Sequence, residues 1–405
     1  MNEFNNYSLM LKDKIVINVN MDNLEIDVLE KNLLPFYLRD SLLDIPEVKY
    51  KNEYLVSKEE MQQSLKRTKL LIQNKMLIDS FISSRALPIN RVNAKHIYNT
   101  FGYCQLQSIQ CRMDLALGCR ALNLQDNYWV HLEGDPDKWN DIDFRKNSIS
   151  TNIADISLNG SYIRIKDKVK EALQSPELTG QGAYAKAWVR EPDGLYLYKR
   201  GANGITESKI EVMVSNLLDN CNVNHLKYEA GESNGEYICK CKCMTDDTIS
   251  ILPGMDFDTW CTVRGVDSHK EALKIDPEAI YKMWIVDYLI SNRDRHGLNW
   301  GFFYNCDTME ILGCHPLYDH NNSFDISLMQ DENAGYLYDD SMTMKEAAMK
   351  AMKEVDFHFY RAPVREDFIT DRQYKTYMKR AEELGIKVIP KEQVAETDMD
   401  LDIDR

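Results

Sequence analysis

The segment from Asp276 to Ile290 leaves a folding chain little freedom. Ile280, Met283, Trp284, Ile285, Tyr288, Leu289 and Ile290 put apolar side chains on nearly every face of a helix. A helix apolar all round has to be enclosed by protein. Asp276 and Pro277 mark its start, because aspartate is a favoured N-cap and proline suits the first helical position, where its missing N–H is not needed. Asp287, inside this apolar helix, is expected to be a structural ion-pair partner. The helix then runs directly into Ser291-Asn-Arg-Asp-Arg-His-Gly-Leu-Asn-Trp300, a stretch dense in charge. A rigid buried rod therefore delivers a polar loop, as a site of fixed geometry needs. After the loop, Gly301–Tyr304 and Ile311–Pro316 read as a strand pair around Cys306-Asp-Thr, followed by Leu317-Tyr-Asp319.

Asp294 and Asn299 stand in an Asp-x-x-x-x-Asn spacing, and Asp319 follows one hairpin later. Protein kinases use an aspartate and an asparagine at this spacing, with a second metal-binding aspartate downstream. The chemistry explains the set. Phosphoryl transfer needs one carboxylate to orient or deprotonate the acceptor, and hard oxygen ligands for Mg²⁺ to offset charge on the phosphate. On this reading Asp294 is the base, and Asn299 and Asp319 bind the metal. Arg293 and Arg295 in the same loop read either as managers of phosphate charge or as surface charge partners.

Upstream, Thr179-Gly-Gln-Gly-Ala-Tyr-Ala-Lys186 opens with small residues. Gly180 and Gly182 would let backbone N–H groups approach a phosphate. A strand follows, then a turn at Asp193-Gly194 and a return strand ending at Lys199, where a nucleotide-binding lysine would sit. A helix over 206–218, with Ile210, Val214, Leu217 and Leu218 as its stripe, offers Glu211 to hold that lysine, with Glu207 as competitor. Cys239, Cys241 and Cys243 alternate with lysines; this period of two predicts a strand with buried thiols, whereas zinc sites favour Cys-x-x-Cys. Thr245–Pro253 reads as a connector. Helices are expected at Met344–Val355 and at Asp371–Leu384, the latter closed by Gly385.

The first 165 residues carry no comparable constellation. A strand at Ile15–Val19 precedes a capping box at Ser57 and Glu60. The helix it starts has Met61, Leu65, Leu70, Leu71, Met76, Ile78, Phe81 and Ile82 as its apolar positions. More helix is predicted within 92–121, then a short strand at Asn127–Leu132; His96 and His131, without partners in sequence, read as structural or surface residues. The division is a mixed, largely helical accessory region over 1–165, a small lobe over 166–245, a helical large lobe over 246–388, and an acidic tail over 389–405 expected to be disordered. With 49 Lys+Arg against 64 Asp+Glu, the net charge of -15 and the absence of a basic run argue against direct nucleic-acid binding. No apolar run reaches membrane-spanning length and no secretory signal is visible, which predicts a cytoplasmic protein with reduced thiols.

At these residues the sequence resembles the HipA-like kinases. Asp294-Arg-His-Gly-Leu-Asn299 is similar to their Asp-x-His-x-x-Asn motif, and Leu317-Tyr-Asp319 to their Tyr-Asp metal motif. Gly182-Ala183 and Lys186 resemble their Gly-Ala-x-x-Lys loop, and Thr179 stands where that family has a serine that can be autophosphorylated. The resemblance covers about 175–330 and implies an α+β, two-lobed protein-kinase-like fold. It also implies an ATP- and Mg²⁺-dependent kinase acting on serine or threonine of a protein substrate, with His296 in the nucleotide site. A role as a toxin with an antitoxin-like partner is a further implication, although the long helix after Ser57 departs from the family's N-terminal pattern. Phosphatidylinositol 3/4-kinases share Asp-Arg-His-x-x-Asn, so a lipid or small-molecule acceptor is an alternative, as is a nucleotide-binding pseudokinase.

Overall fold

The computed structural model describes residues 6–47, 57–101, 109–161, 174–201, 206–324, 335–336 and 339–392. The expected junction near residue 165 and nearly all of the acidic tail lie outside these residues. Helix and sheet are mixed, as an α+β chain requires. No helix among the described residues is long and apolar enough to cross a membrane.

Near the N-terminus, β1 (Asn6–Leu11), β2 (Lys14–Asn20), β3 (Glu25–Val28) and β4 (Tyr128–Leu132) form an antiparallel sheet in the order β3-β2-β1-β4. The helix Lys58–Ser84 begins at the expected capping box, with Ser57 and Glu60 satisfying each other's backbone N–H. Its stripe is only partly right. Leu71, Ile78, Phe81 and Ile82 are buried, whereas Met61, Leu65 and Met76 face solvent. The helix therefore packs mainly along its C-terminal half, and periodicity alone could not show that its first turns lack a packing partner among the described residues.

The second sheet follows the order β5-β6-β8-β7, built from β5 (Lys186–Glu191), β6 (Gly194–Lys199), β7 (Glu229–Ser233) and β8 (Glu236–Lys242). Cys239 and Cys241 lie on the buried face of β8, as the period of two predicts. The helix Thr206–Leu218 covers this sheet with Ile210, Val214, Leu217 and Leu218 buried. The stretch expected to be only a connector contains a strand, β9 (Ile249–Pro253). It pairs with β10 (Gly301–Asn305), which in turn pairs with β11 (Ile311–Cys314). Pro277–Leu289 follows a cap at Asp276, whose side chain accepts from Ala279 N at 3.1 Å. Met283, Trp284, Ile285 and Val286 are almost wholly excluded from solvent. The helices Met344–Ala351 and Asp371–Leu384 complete the surround, the second ending at Gly385 with φ +64°.

Candidate active site

The charged loop after Pro277–Leu289 is fixed from below. Asp287 and Arg295, both essentially without solvent exposure, form an ion pair at 2.8 Å. Arg295 also donates to the carbonyls of Asn299 (2.7 Å) and Tyr318 (2.8 Å). One guanidinium thus ties the buried helix to both polar segments. Arg295 is not a surface charge partner, and it spends its donors on the scaffold rather than on the cavity. Asp287 has the structural role expected of it.

On this base Asn299 donates its amide to Asp294 O at 2.8 Å, which leaves its carbonyl oxygen without a partner among the described residues. One oxygen of Asp294 accepts from Asn322 at 2.6 Å, and Asn322 is held in turn by the Tyr184 hydroxyl at 2.7 Å. Asp319 takes a positive φ of +60°, uncommon for a residue with a side chain. Its carboxylate meets the Lys199 ammonium at 2.7 Å. Lys199 also reaches Glu211 at 3.2 Å and the Tyr228 hydroxyl at 3.0 Å. The other oxygen of Glu211 accepts from His320 N at 2.7 Å, so this carboxylate locks the strand lysine to the segment carrying Asp319. Glu211, and not Glu207, is the partner of Lys199.

Charge is concentrated here. Burial acts to lower the Lys199 pKa, but Asp319 and Glu211 outweigh it and hold the ammonium protonated far above its usual range. Burial likewise acts against Asp319, yet Lys199 and Lys186 bring it down to about 2. Glu211 is pushed up by its complete burial, against the pull of Lys199. Lys186 is lowered to about 7 by burial and by the like charges of Arg91 and Lys199. Lys199, Asp319 and Lys186 line a cavity of about 390 Å³, together with Gly180, Gly182, Ala183 and His296, while Glu211 lies behind Lys199. His296 is exposed, with Leu298 N donating to its Nδ1.

The small-residue turn owes its shape to the N-terminal region. Arg91, buried, donates to the carbonyls of Gly180, Gln181 (2.8 Å) and Gly182 (3.0 Å). Val92 N donates to Ala183 O at 2.9 Å, and Leu87 N to Leu178 O at 2.7 Å. Gly182 has φ +98°, and a Cβ there would come within 2.5 Å of Lys186 Nζ. Thr179 is 1% exposed, and its hydroxyl donates to Leu122 O. In this conformation it is not presented to a phosphate; modification requires the segment to leave its place. Arg91, Asn123 and Gln125, from the region read as accessory, also line the cavity. Asn322 and Tyr228 were likewise not singled out in the sequence.

No protein-family model matches the chain, and no curated protein matches it. In structure it is similar to solved proteins that include the following two. One is the Helicobacter pylori proinflammatory kinase CtkA, 13% identical with a TM-score of 0.36, the match covering 53% of this chain and 95% of that one. Another is a chain from the Shewanella oneidensis MR-1 toxin–antitoxin complex of HipA, HipB and operator DNA, 9% identical with a TM-score of 0.46, covering 94% and 98%. Both scores lie below 0.5, and the functional reading rests on the residues gathered around Lys199.

Proposed function

We propose that this protein is an ATP- and Mg²⁺-dependent phosphotransferase of the HipA-like type that phosphorylates serine or threonine of a protein. On this reading 166–245 and 246–388 act as the two lobes of a kinase-like cleft. The observation that carries it is the ion-paired meeting of Lys199, Glu211 and Asp319, from a strand, a helix and a loop, with Lys199 and Asp319 lining the same cavity as Asp294 and Asn299. A structural polar cluster needs no such cavity, and a nucleotide site does.

The residues fit the cofactor. Gly182 leaves room for close approach, Lys199 and Lys186 supply positive charge, and the carbonyl oxygen of Asn299 with the Asp319 carboxylate would hold the metal. Bound ATP–Mg²⁺ would supply the γ-phosphoryl group and the screening of its charge. Asp294, steadied by Asn322, keeps one carboxylate oxygen free of protein partners among the described residues to take the proton of the acceptor hydroxyl. That hydroxyl oxygen forms the new bond to phosphorus as the bond to the ADP oxygen breaks. Leu197, Leu226, Met244 and Ile251 give the cavity apolar walls suited to a purine.

Incubation with γ-labelled ATP and Mg²⁺ is expected to label the protein itself or serine and threonine residues in a protein extract, and chelation of the metal should stop it. Label passing only to a lipid or metabolite mixture would replace the acceptor class. Binding without transfer to any of these would leave a pseudokinase.

Arg91 gives a second expectation. Lysine cannot reproduce its fork of donors. Arg91→Lys should therefore raise KM for ATP by about tenfold, an effect of the size of one lost charge-assisted contact, with kcat less affected. Faster amide exchange at Gly180–Ala183 should accompany it. An unchanged KM would remove Arg91 from the role of positioning residue.

A further inference from the structure

A second cavity, about 260 Å³, opens beside the first and shares Gln181 and Leu298 with it. Phe36, Phe81, Tyr128 and Tyr304 form aromatic walls, and Arg85, Asp126 and Asp256 provide its charges. Arg85 binds Asp126 through two hydrogen bonds of 2.7 and 2.8 Å, so that pair is internally neutral. Asp256 has no hydrogen bond or ion pair among the described residues. Asp256 therefore places a negative charge without a direct partner in a largely aromatic setting, and burial, helped by Asp126 against the pull of Arg85, raises its pKa to about 6.

Its location ties it to the loop of Asp294. Asp256 lies in the first turn of the helix Gly254–Val263. The adjacent Met255 N donates to Gly297 O at 2.8 Å. Gly297 permits this, since a Cβ there would come within 2.7 Å of Met255 N. Gly254 plays a matching part against Trp300, whose ring atoms would fall 2.3 Å from an added Cβ. The start of this helix and the loop Asp294–Asn299 are thus held against each other, and Met255, Asp256 and Leu298 from the two segments line the second cavity.

We propose that this cavity is an acceptor subsite that takes a basic side chain, arginine or lysine, of the protein being phosphorylated, with Asp256 as its counter-ion. The inference rests on the phosphotransfer reading above. A triphosphate is excluded by charge, because an unpaired carboxylate repels it. A long cationic side chain fits, its methylenes lying on aromatic walls while its head meets the carboxylate. The net charge of -15 favours a basic partner in the same sense.

The test uses Ser/Thr-centred peptide mixtures in which arginine or lysine is fixed at each position in turn. The wild-type protein is expected to prefer peptides with a basic residue at one set distance from the hydroxyl, by about tenfold in kcat/KM, the scale of one desolvated cation contact. Asp256→Asn should erase that ratio, Asp256→Glu should keep part of it, and Asp256→Lys should turn it toward acidic peptides. Equal labelling of basic and neutral peptides by the wild type overturns the subsite and leaves the kinase reading standing. Should the wild type label no peptide, the protein-acceptor reading itself falls. Calorimetry with acetyl-arginine amide then decides the cavity separately: binding that Asp256→Asn abolishes supports a cation site, and no difference between the two proteins refutes it.

Discussion

Asparagine in place of Asp294 is expected to slow phosphate transfer by about 10³-fold, within the range assigned to a positioned general base. The amide has nearly the same shape as the carboxylate but cannot accept the acceptor's proton. The setting of the residue makes the test clean. One oxygen is already committed to Asn322, itself held by Tyr184, so a loss of rate reports on the other oxygen and not on a collapsed loop. Initial rates with labelled ATP would be compared with calorimetric ATP affinity, which should stay within about twofold, because the residue is assigned to proton transfer and not to uniform substrate binding. A variant retaining more than a tenth of the wild-type rate would reduce Asp294 to a positioning role.

Lys199→Met should have two separable effects. Transfer should fall by at least about 10²-fold through lost electrostatic stabilisation of the phosphate. Stability should also fall, by about 3–5 kcal/mol, the usual result of removing one partner from a buried charge cluster. Glu211 has no solvent exposure at all, and without the ammonium it faces Asp319 as a like charge. The sign of the pH dependence follows from linkage. In the wild type Asp319 is depressed to about 2, so its contribution is present above the ordinary carboxylate range near pH 4 and is lost as pH falls toward 2. In the variant Glu211 is raised further, and its penalty is relieved by protonation. Denaturant unfolding at pH 7.5 and 5.5 should therefore show the variant gaining stability on acidification over a range where Asp319 leaves the wild type unchanged. Equal stability of the two proteins at pH 7.5 would contradict a buried charge cluster.

Local chemistry was legible in the sequence. The capping box at Ser57, the Asp276-Pro277 start, the hairpin at Asp193-Gly194 and the period of Cys239 and Cys241 each depend on a few neighbouring residues, and each recurs in the structure. The pairing of Lys199 with Glu211 was readable from the order of strand and helix, whereas the direct contact of Lys199 with Asp319 was not. What sequence did not disclose was long-range. Arg91 contacts a loop about ninety residues away. Nothing in the pattern around an isolated arginine says where its guanidinium will go. Asn322 is a polar residue in a polar run, and it gains meaning only when the chain returns to Asp294. The strand Ile249–Pro253 was concealed because its partner, β10, lies about fifty residues downstream. Met61, Leu65 and Met76 show the reverse error: the period was real, but no surface among the described residues meets it.

The anchoring of the glycine turn bears on how the protein could be dissected or inherited in pieces. A fragment beginning at residue 166 would retain Lys199, Asp294, Asn299 and Asp319. It would lose the partners of Leu178, Thr179, Gly180, Gln181, Gly182 and Ala183, because all of these lie between Ser84 and Asn123. Such a fragment would keep those side chains and lose the hydrogen bonds that shape the glycine turn. A unit that keeps this turn in its present shape then begins upstream of Ser84, and the apparent accessory region is the brace of the cavity's glycine edge.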